Sequence, residues 1–285
     1  MNIGEVWMSL ELGLIFGIVA VGIYLSFRVI DFPDLTCDGS FVLGGATSAI
    51  LIKLGISPIY SLFCGFITGG LAGLATGILY IKLSITNLLS GILVAFVLYS
   101  INLKVMGNVP NIALINQSTI FTGHNELFIL ALFATLIWLL ISYLLITDFG
   151  LALRSIGQNS TLALTGGVKV KTAIVITLML SNGLIGLGGA LFVQHQGFAD
   201  ISQGVGTVII GLVGVMIGER LFPFHHPIIK ISACIIGSIL YRFLIAFALH
   251  SEILGIQTQD LNLMTGCMVI GMMLIPYGGK RNGYA

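Results

Sequence analysis

Nine apolar runs recur along this chain, and their length and spacing constrain it more than anything else in the sequence. They cover residues 8–27, 40–56, 58–80, 84–106, 127–146, 172–193, 204–218, 228–249 and 260–276. About 20 apolar residues in a helix span the hydrocarbon core of a bilayer. The runs are continuous rather than alternating, which selects helices over a β-barrel. Composition agrees: 57% of the 285 residues are hydrophobic and 8% are charged, against about a quarter charged in a soluble domain. Mean hydropathy is +1.08. The expectation is an all-α, polytopic transmembrane helical bundle, one domain over 1–285. It has about nine spans, with eight to ten as the range because Ser57-Pro58 barely separates two of them.

Several function classes fall away. A net charge of +1 gives no electrostatic case for nucleic acid. Cys37, Cys64, Cys234 and Cys267 are scattered, without a CxxC pair, and read as small apolar packing residues. His195, His225 and His226 have no partner at metal-ligand spacing and read as interfacial, so no metal is expected. The N-terminus lacks a basic region and a small-residue cleavage site, and does not read as a signal peptide. A Walker A motif is absent, as are Gly-x-Ser-x-Gly and His-Glu-x-x-His. No cofactor is expected in this chain.

Orientation follows from Lys and Arg near the span ends. With the 147–171 loop in the cytoplasm, Arg28, Lys82, Arg154, Lys169, Lys171, Arg220, Lys230, Lys280 and Arg281 fall inside, and Lys53 and Lys104 fall outside. The N-terminus is then outside and the C-terminus cytoplasmic. Glu5, Glu11, Glu126, Asp200, Glu252 and Asp260 collect on the outer side, where the long 107–126 loop offers a surface to an extracytoplasmic partner.

Gly70–Leu74 in the third span resembles Gly183–Leu187 in the sixth, and the two run in opposite directions. This is a candidate inverted repeat, a habit of transporters. The alternative is that glycines three or four apart let helices approach closely. Gly65, Gly69, Gly73 and Gly77 form such a stripe under either reading.

Four features could carry function. The segment Phe32–Ser40 interrupts two apolar runs with Pro33, Asp34, Thr36, Asp38, Gly39 and Ser40, beside Asp31. Pro33 removes a donor and pushes its neighbour out of helical geometry. Asp38 or Ser40 could cap the next helix. The result is either a broken helix whose positive end faces a cavity, or an ordinary cytoplasmic turn with solvated acids. Thr86, Asn87 and Ser90 open the fourth span, and Ser181-Asn182 lie inside the sixth. Each is packing glue or pathway lining. Arg242 lies deep in the eighth span, and either snorkels outward or pairs with an acid such as Asp260. Glu219 and Arg220 read as an interfacial charge cluster.

The polar stretch Thr147–Lys171 carries Asp148, Gly150, Leu151, Leu153, Arg154, Ile156, Gly157, Asn159 and Gly166, with aliphatic residues at amphipathic-helix spacing. A cationic half-helical loop between two spans is suited to grip a cytoplasmic partner.

The run from Asp148 through Asn159 to Gly166-Gly167-Val168 resembles a stretch in the branched-chain amino-acid and ribose type permeases of ABC importers. The Gly-rich LSNGLIGLGGALF follows it as in that family, and IDFPDLTCDGSFVLGGA is similar to the family's early Asp-Leu-Ser/Thr-x-Gly-Ser segment. FPDLT-DGSF, VMIGE and LYR…DLNL further resemble a subgroup of tryptophan/tyrosine-like amino-acid permeases. The resemblance spans about residues 10–276. It implies a permease subunit in the membrane lipid, paired with a second permease chain. Two cytoplasmic ATPase subunits would lie beneath it, binding the ATP, and an extracytoplasmic substrate-binding protein above. The 147–171 loop would be the single coupling helix, with Leu151, Leu153 and Ile156 as anchors, Arg154 toward an acidic cleft, and Gly157 and Gly166-Gly167 at sharp turns. The substrate expected is a small polar solute, an amino acid first. The competing readings are a secondary transporter driven by an ion gradient and, more distantly, a membrane enzyme.

Overall fold

Each of the nine apolar runs coincides with a helix in the computed structural model, which describes residues 3–224, 226–250 and 261–274. The sequence readings at His225, Glu252, Asp260, Lys280 and Arg281 lie outside those residues. Helix α1 (Ile3–Tyr24) continues through a π-turn (Leu25–Val29). Then come α2 (Thr36–Lys53), α3 (Pro58–Leu83), α4 (Asn87–Val105) and strand β1 (Asn111–Ala113). After these follow α5 (Glu126–Ile146), α6 (Asp148–Gln158), α7 (Ser160–Thr165), α8 (Val170–Gln196) and strand β2 (Phe198–Asp200). A 3-10 turn (Ile201–Gly204), α9 (Thr207–Leu221), α10 (Pro227–His250) and α11 (Leu261–Leu274) complete the order. Seven helical segments among the described residues are long and apolar enough to cross a membrane. Helix α2 carries Asp38 and Lys53 and has 18 residues, and it is almost wholly enclosed by protein.

Local chemistry sets the helix ends. Pro58 opens α3, where its missing N–H costs nothing. Asn125 caps α5 by accepting from the Leu127 and Phe128 amides at 3.1 and 3.4 Å. Gly197 closes α8 at φ +75°, a left-handed position that glycine adopts without strain.

The interior is organised by backbone approach more than by bulky side chains. In a bilayer, helices gain little from excluding water, so close packing of small residues carries association. Gly65, Gly69, Gly73 and Gly77 of α3 face successively Ala190, Gly186 with Asn182, Leu178 and Val175 of α8. That descending order makes the two helices antiparallel. Gly44 of α2 meets the Gly186 backbone, and Gly45 meets Val193 and Gly189. Three helices therefore cross around Gly186. This supports the close-packing reading of the glycine stripe.

The fold is not purely helical. β1 and β2 pair antiparallel, with Ile112 opposite Ala199. This ties the 107–126 loop to the α8–α9 connection. Ile112 and Leu114 are buried with Ala199, and Phe121 of the same loop is buried in the main core. The Ile120 amide donates to Gln194 Oε1 at 3.1 Å. Asp200 caps the 3-10 turn at this end. Burial opposes its ionisation, but hydrogen bonds from Ser202 and Asn111 outweigh that and hold the carboxyl below the usual range. Among the described residues, alternating helix direction puts Arg28, Lys82, Arg154, Lys169, Lys171, Arg220 and Lys230 at the α6–α7 end, and Lys53 and Lys104 at the β1–β2 end.

Candidate functional site

The break between α1 and α2 lies inside the bundle. There it contacts Asn182, near the middle of the 27-residue α8. Asp31 adopts φ +51°, a left-handed turn that Asp tolerates, and it stays exposed together with Pro33. Phe32 turns inward and meets Tyr80 edge to face at 5.2 Å between centroids. Asp34 is completely buried. Of the two readings of this segment, the solvated turn therefore fits Asp31 and the broken helix fits Asp34.

A continuous polar cluster surrounds that carboxylate. Oδ1 of Asp34 accepts from the Thr36 amide at 2.9 Å, and Oδ2 accepts from Asn182 Nδ2 at 2.7 Å. Asn182 Nδ2 also donates to Leu178 O at 3.0 Å, and its Oδ1 accepts from Ser40 Oγ at 2.7 Å. Thr36 Oγ1 and Thr76 Oγ1 stand 2.6 Å apart. Among the described residues no Lys or Arg pairs with Asp34. Gly91 of α4 closes over the break: a Cβ there would come 2.8 Å from the Leu35 nitrogen and 3.1 Å from Asp34 Oδ1. Asp34, one residue before the N-cap Leu35, accepts from the first amide of α2, that of Thr36.

Asp38 and Ser40 do not cap α2. Asp38 reaches across to α9, where its carboxylate accepts from the Val208 amide at 2.9 Å and the Gly206 amide at 3.2 Å. It thus satisfies orphan donors at the start of another helix. On its other side Asp38 borders a lateral cavity of about 580 Å³, lined by Leu35, Ile92, Ala95, Phe96, Tyr99 and Ser100. Gly39 lies beneath α4, its carbonyl accepting from Asn102 at 3.1 Å, with Leu98 in the space a side chain would need.

The remaining polar candidates divide. Ser90 is buried and bonds to Asn87 O at 2.7 Å. Asn87 opens instead onto a separate cavity of about 710 Å³ at the α6–α7 end, with Thr86, Ser160, Lys169 and Lys171 on its wall. Arg242 joins none of these: its guanidinium carbon lies 4.1 Å from the centroid of the Phe16 ring, a cation–π contact between α10 and α1. Its Nε has no hydrogen-bond partner. Glu219 pairs with Arg28 at 2.7 Å, binding α9 to the π-turn, rather than clustering with Arg220. His195 is not a plain interfacial histidine either, since Glu11 and Glu126 meet its ring.

The 147–171 loop forms two helices where one is expected from sequence. Asn159 separates them, and its side chain caps α7 by accepting from the Leu162 amide at 3.0 Å. The aliphatic face of α6 turns inward: Leu153 and Ile156 join the main core, while Leu151 stays exposed. Leu162 and Leu164 of α7 are exposed as well. Arg154 donates from Nη2 to Leu145 O and from Nε to Gly150 O, both at 3.4 Å, fastening α6 to the end of α5. Asp148 is the first residue of α6. Gly150 and Gly157 are close-approach glycines, against Leu145 and Val29 respectively. Only Gly167 turns left-handed, at φ +85°, and Gly166 does not. Sequence reasoning missed Thr76, Gly91 and Gln194, whose amide nitrogen donates to Ser48 Oγ, Ser61 Oγ and the Pro58 carbonyl, because a hydroxyl, a glycine or an amide in an apolar run carries no signal of what lies opposite.

The sequence profile described as "Branched-chain amino acid transport system / permease component" matches residues 6–276. The chain belongs to that family. It is the permease component of an ABC transport system, a non-enzymatic membrane subunit that works with ATPase and substrate-binding partners, the ATPase being a separate subunit. The permease is 40% identical over 91% of its length, and 87% of the relative's, to a "Tyrosine transport system permease protein" of Clostridioides difficile. It is 33% identical to "Uncharacterized protein RP368" of Rickettsia prowazekii, covering 92% of this chain and 94% of that one. It is 24% identical to "Probable branched-chain amino acid transport permease protein LivH" of Methanocaldococcus jannaschii, over 92% and 87% of the two chains.

Proposed function

We propose that this permease forms the import route for an amino acid, working as a pair of identical chains with the α6–α7 end in the cytoplasm. The observation that carries the route is Asp38 beside the lateral cavity. An ionisable group cannot face acyl chains at low cost, so its cavity must hold water or protein. A second copy covering the α4 face would convert two such cavities into one enclosed path. The buried Asp34–Asn182 cluster backs that path and holds the α2 break in place. Phe96 and Tyr99 on the wall, with the Asp38 carboxylate, suit a zwitterionic solute with an apolar or aromatic side chain. The name of the Clostridioides relative supports tyrosine as the first substrate to try.

The positive-inside rule supports the orientation, since seven described cations fall at the α6–α7 end and two at the other. The N-terminus is then outside and the C-terminus cytoplasmic. α6 and α7 together form the coupling element, with Leu151, Leu162 and Leu164 as its outward apolar contacts. ATP is bound by the partner subunit alone. The whole chain acts as one permease domain.

The test is reconstitution of the permease with its ATPase subunits and binding protein in vesicles. Labelled tyrosine should accumulate only with ATP and all three components. Accumulation by the permease alone under an ion gradient would overturn the reading in favour of a secondary transporter.

A further inference from the structure

His195 Nε2 lies 3.1 Å from Glu11 Oε2 and 3.2 Å from Glu126 Oε2. The three ligand atoms are all within 4.8 Å of one another. They come from three helices: Glu11 from the third turn of α1, Glu126 from the start of α5, and His195 from the end of α8. The imidazole is 5% exposed and the Glu11 side chain 15%, while Glu126 opens to the surface at 46%. One face of the group is therefore closed and the other open.

Proton counting makes this arrangement unusual for an ion pair. Nε2 carries at most one hydrogen, whether the ring is neutral or charged. A single N–H aligns with one carboxylate oxygen, yet two converge on it. The second proton of a charged ring would sit on Nδ1, which faces Gln196 at 3.2 Å and not the acids. Two carboxylates held this close repel each other unless a positive centre, an imidazolium or a metal ion, lies between them. A divalent cation accepts all three donors at once. The Nδ1 side has a side-chain amide within reach. As placed, the Gln196 amide nitrogen faces Nδ1; metal binding requires that amide to turn over, so that its oxygen accepts the Nδ1 proton and the Nε2 lone pair is freed. Phe121 stands edge to face against the ring at 5.6 Å and restrains its orientation.

We propose that Glu11, Glu126 and His195 form a binding site for a divalent transition-metal ion, with zinc as the first probe. One imidazole and two carboxylates suit zinc with a fourth position open to water, and the imidazole argues against calcium or magnesium. The metal would clamp α1, α5 and α8 together at the end that carries the β1–β2 pair. The site lies apart from the proposed route and does not depend on it.

The experiment uses the full-length permease in detergent, purified through a non-histidine tag and titrated with zinc chloride by calorimetry. The expected result is one zinc per chain, with affinity reduced at least tenfold in His195→Gln and in Glu11→Gln, and less in Glu126→Gln. Zinc should raise the melting temperature of the native chain and leave that of His195→Gln unchanged. X-ray absorption on the zinc-loaded native chain gives a reading independent of whether the variants fold. It should show only nitrogen and oxygen at about 2.0–2.1 Å, with an imidazole signature. No binding by the native chain, full affinity in His195→Gln and Glu11→Gln, or sulfur in the zinc shell would each overturn the proposal. The last would assign the metal to the cysteines.

Discussion

Asn182 donates from its amide to the Asp34 carboxylate at 2.7 Å, although 148 residues separate the two in sequence. The same amide group accepts from Ser40. One side chain on α8 therefore fixes both flanks of the α2 break. Replacing it with leucine, close in size but apolar, strands Asp34 Oδ2 in the core and leaves the Ser40 hydroxyl with the Thr36 carbonyl alone, at 3.1 Å. Leaving a buried polar group unpaired costs about 1–3 kcal/mol, more when it is charged. Asn182→Leu should therefore lower the melting temperature of the purified permease by several degrees. Asp34→Asn keeps the shape and the acceptor for the Thr36 amide, and should be milder. A leucine variant as stable as the native chain would show that the cluster does not hold the break.

The nine-helix outline was legible because an apolar run long enough to span a bilayer has few other fates. The interruption at 31–40 was legible too, since Pro33 and the acids cannot continue an apolar helix. What each acid does was not. Asp38 reads as a cap for its own helix because its neighbours in sequence belong to that helix, yet it satisfies amides 168 and 170 residues away. Leu153 and Ile156 read as partner-facing because amphipathic spacing shows only that one face is apolar. It does not say whether that face meets a partner or the chain's own core. The convergence of Glu11, Glu126 and His195 depends on three helix ends meeting, which no local pattern records.

Asp38 makes a prediction separable from Asp34. Its carboxylate supplies the acceptor that the first amides of α9 need. Loss of a cap of this kind costs about 0.5–2 kcal/mol. Asp38→Ala should be destabilised by that order, whereas Asp38→Asn keeps one oxygen for the Val208 amide but turns an NH2 toward the Gly206 amide, and should fall between the alanine variant and the native protein. If the acid also contacts the solute, Asp38→Asn will still yield folded permease but lose uptake in the reconstituted system. Equal stability of Asp38→Ala and the native chain would argue against the capping role.

Gly186 stands where α2, α3 and α8 cross. A Cβ on it would come 2.6 Å from the Gly65 carbonyl oxygen and 3.0 Å from Gly69 Cα. Backbone atoms cannot rotate aside as a side chain can, so the helices themselves must separate. Gly186→Val should leave little folded protein in membranes, judged by monodisperse material after mild solubilisation. Gly4→Ala is the matched control, because nothing lies within 4 Å of its added methyl, and it should accumulate normally.

The two-helix form of the 147–171 segment changes which side chains should matter for coupling. Leu153 is fully enclosed in the permease's own core, whereas Leu162 and Leu164 are 70% and 62% exposed. An aspartate at 153 would place a charge among apolar groups and unfold the local structure, reducing the yield of permease itself. An aspartate at 162 or 164 faces outward and should leave yield and melting temperature unchanged. If α7 lies in the ATPase contact, Leu162→Asp with Leu164→Asp should lose most of the co-purifying ATPase subunit while keeping the permease intact. Arg154→Glu should behave differently again. Its guanidinium fastens α6 to the carbonyl of Leu145, and the reversed charge would set a carboxylate against the negative end of α5. The expected result is a lower melting temperature together with partial loss of the ATPase. Full retention of the ATPase by the Leu162/Leu164 pair would move the docking surface off α7 and onto α6 around Leu151.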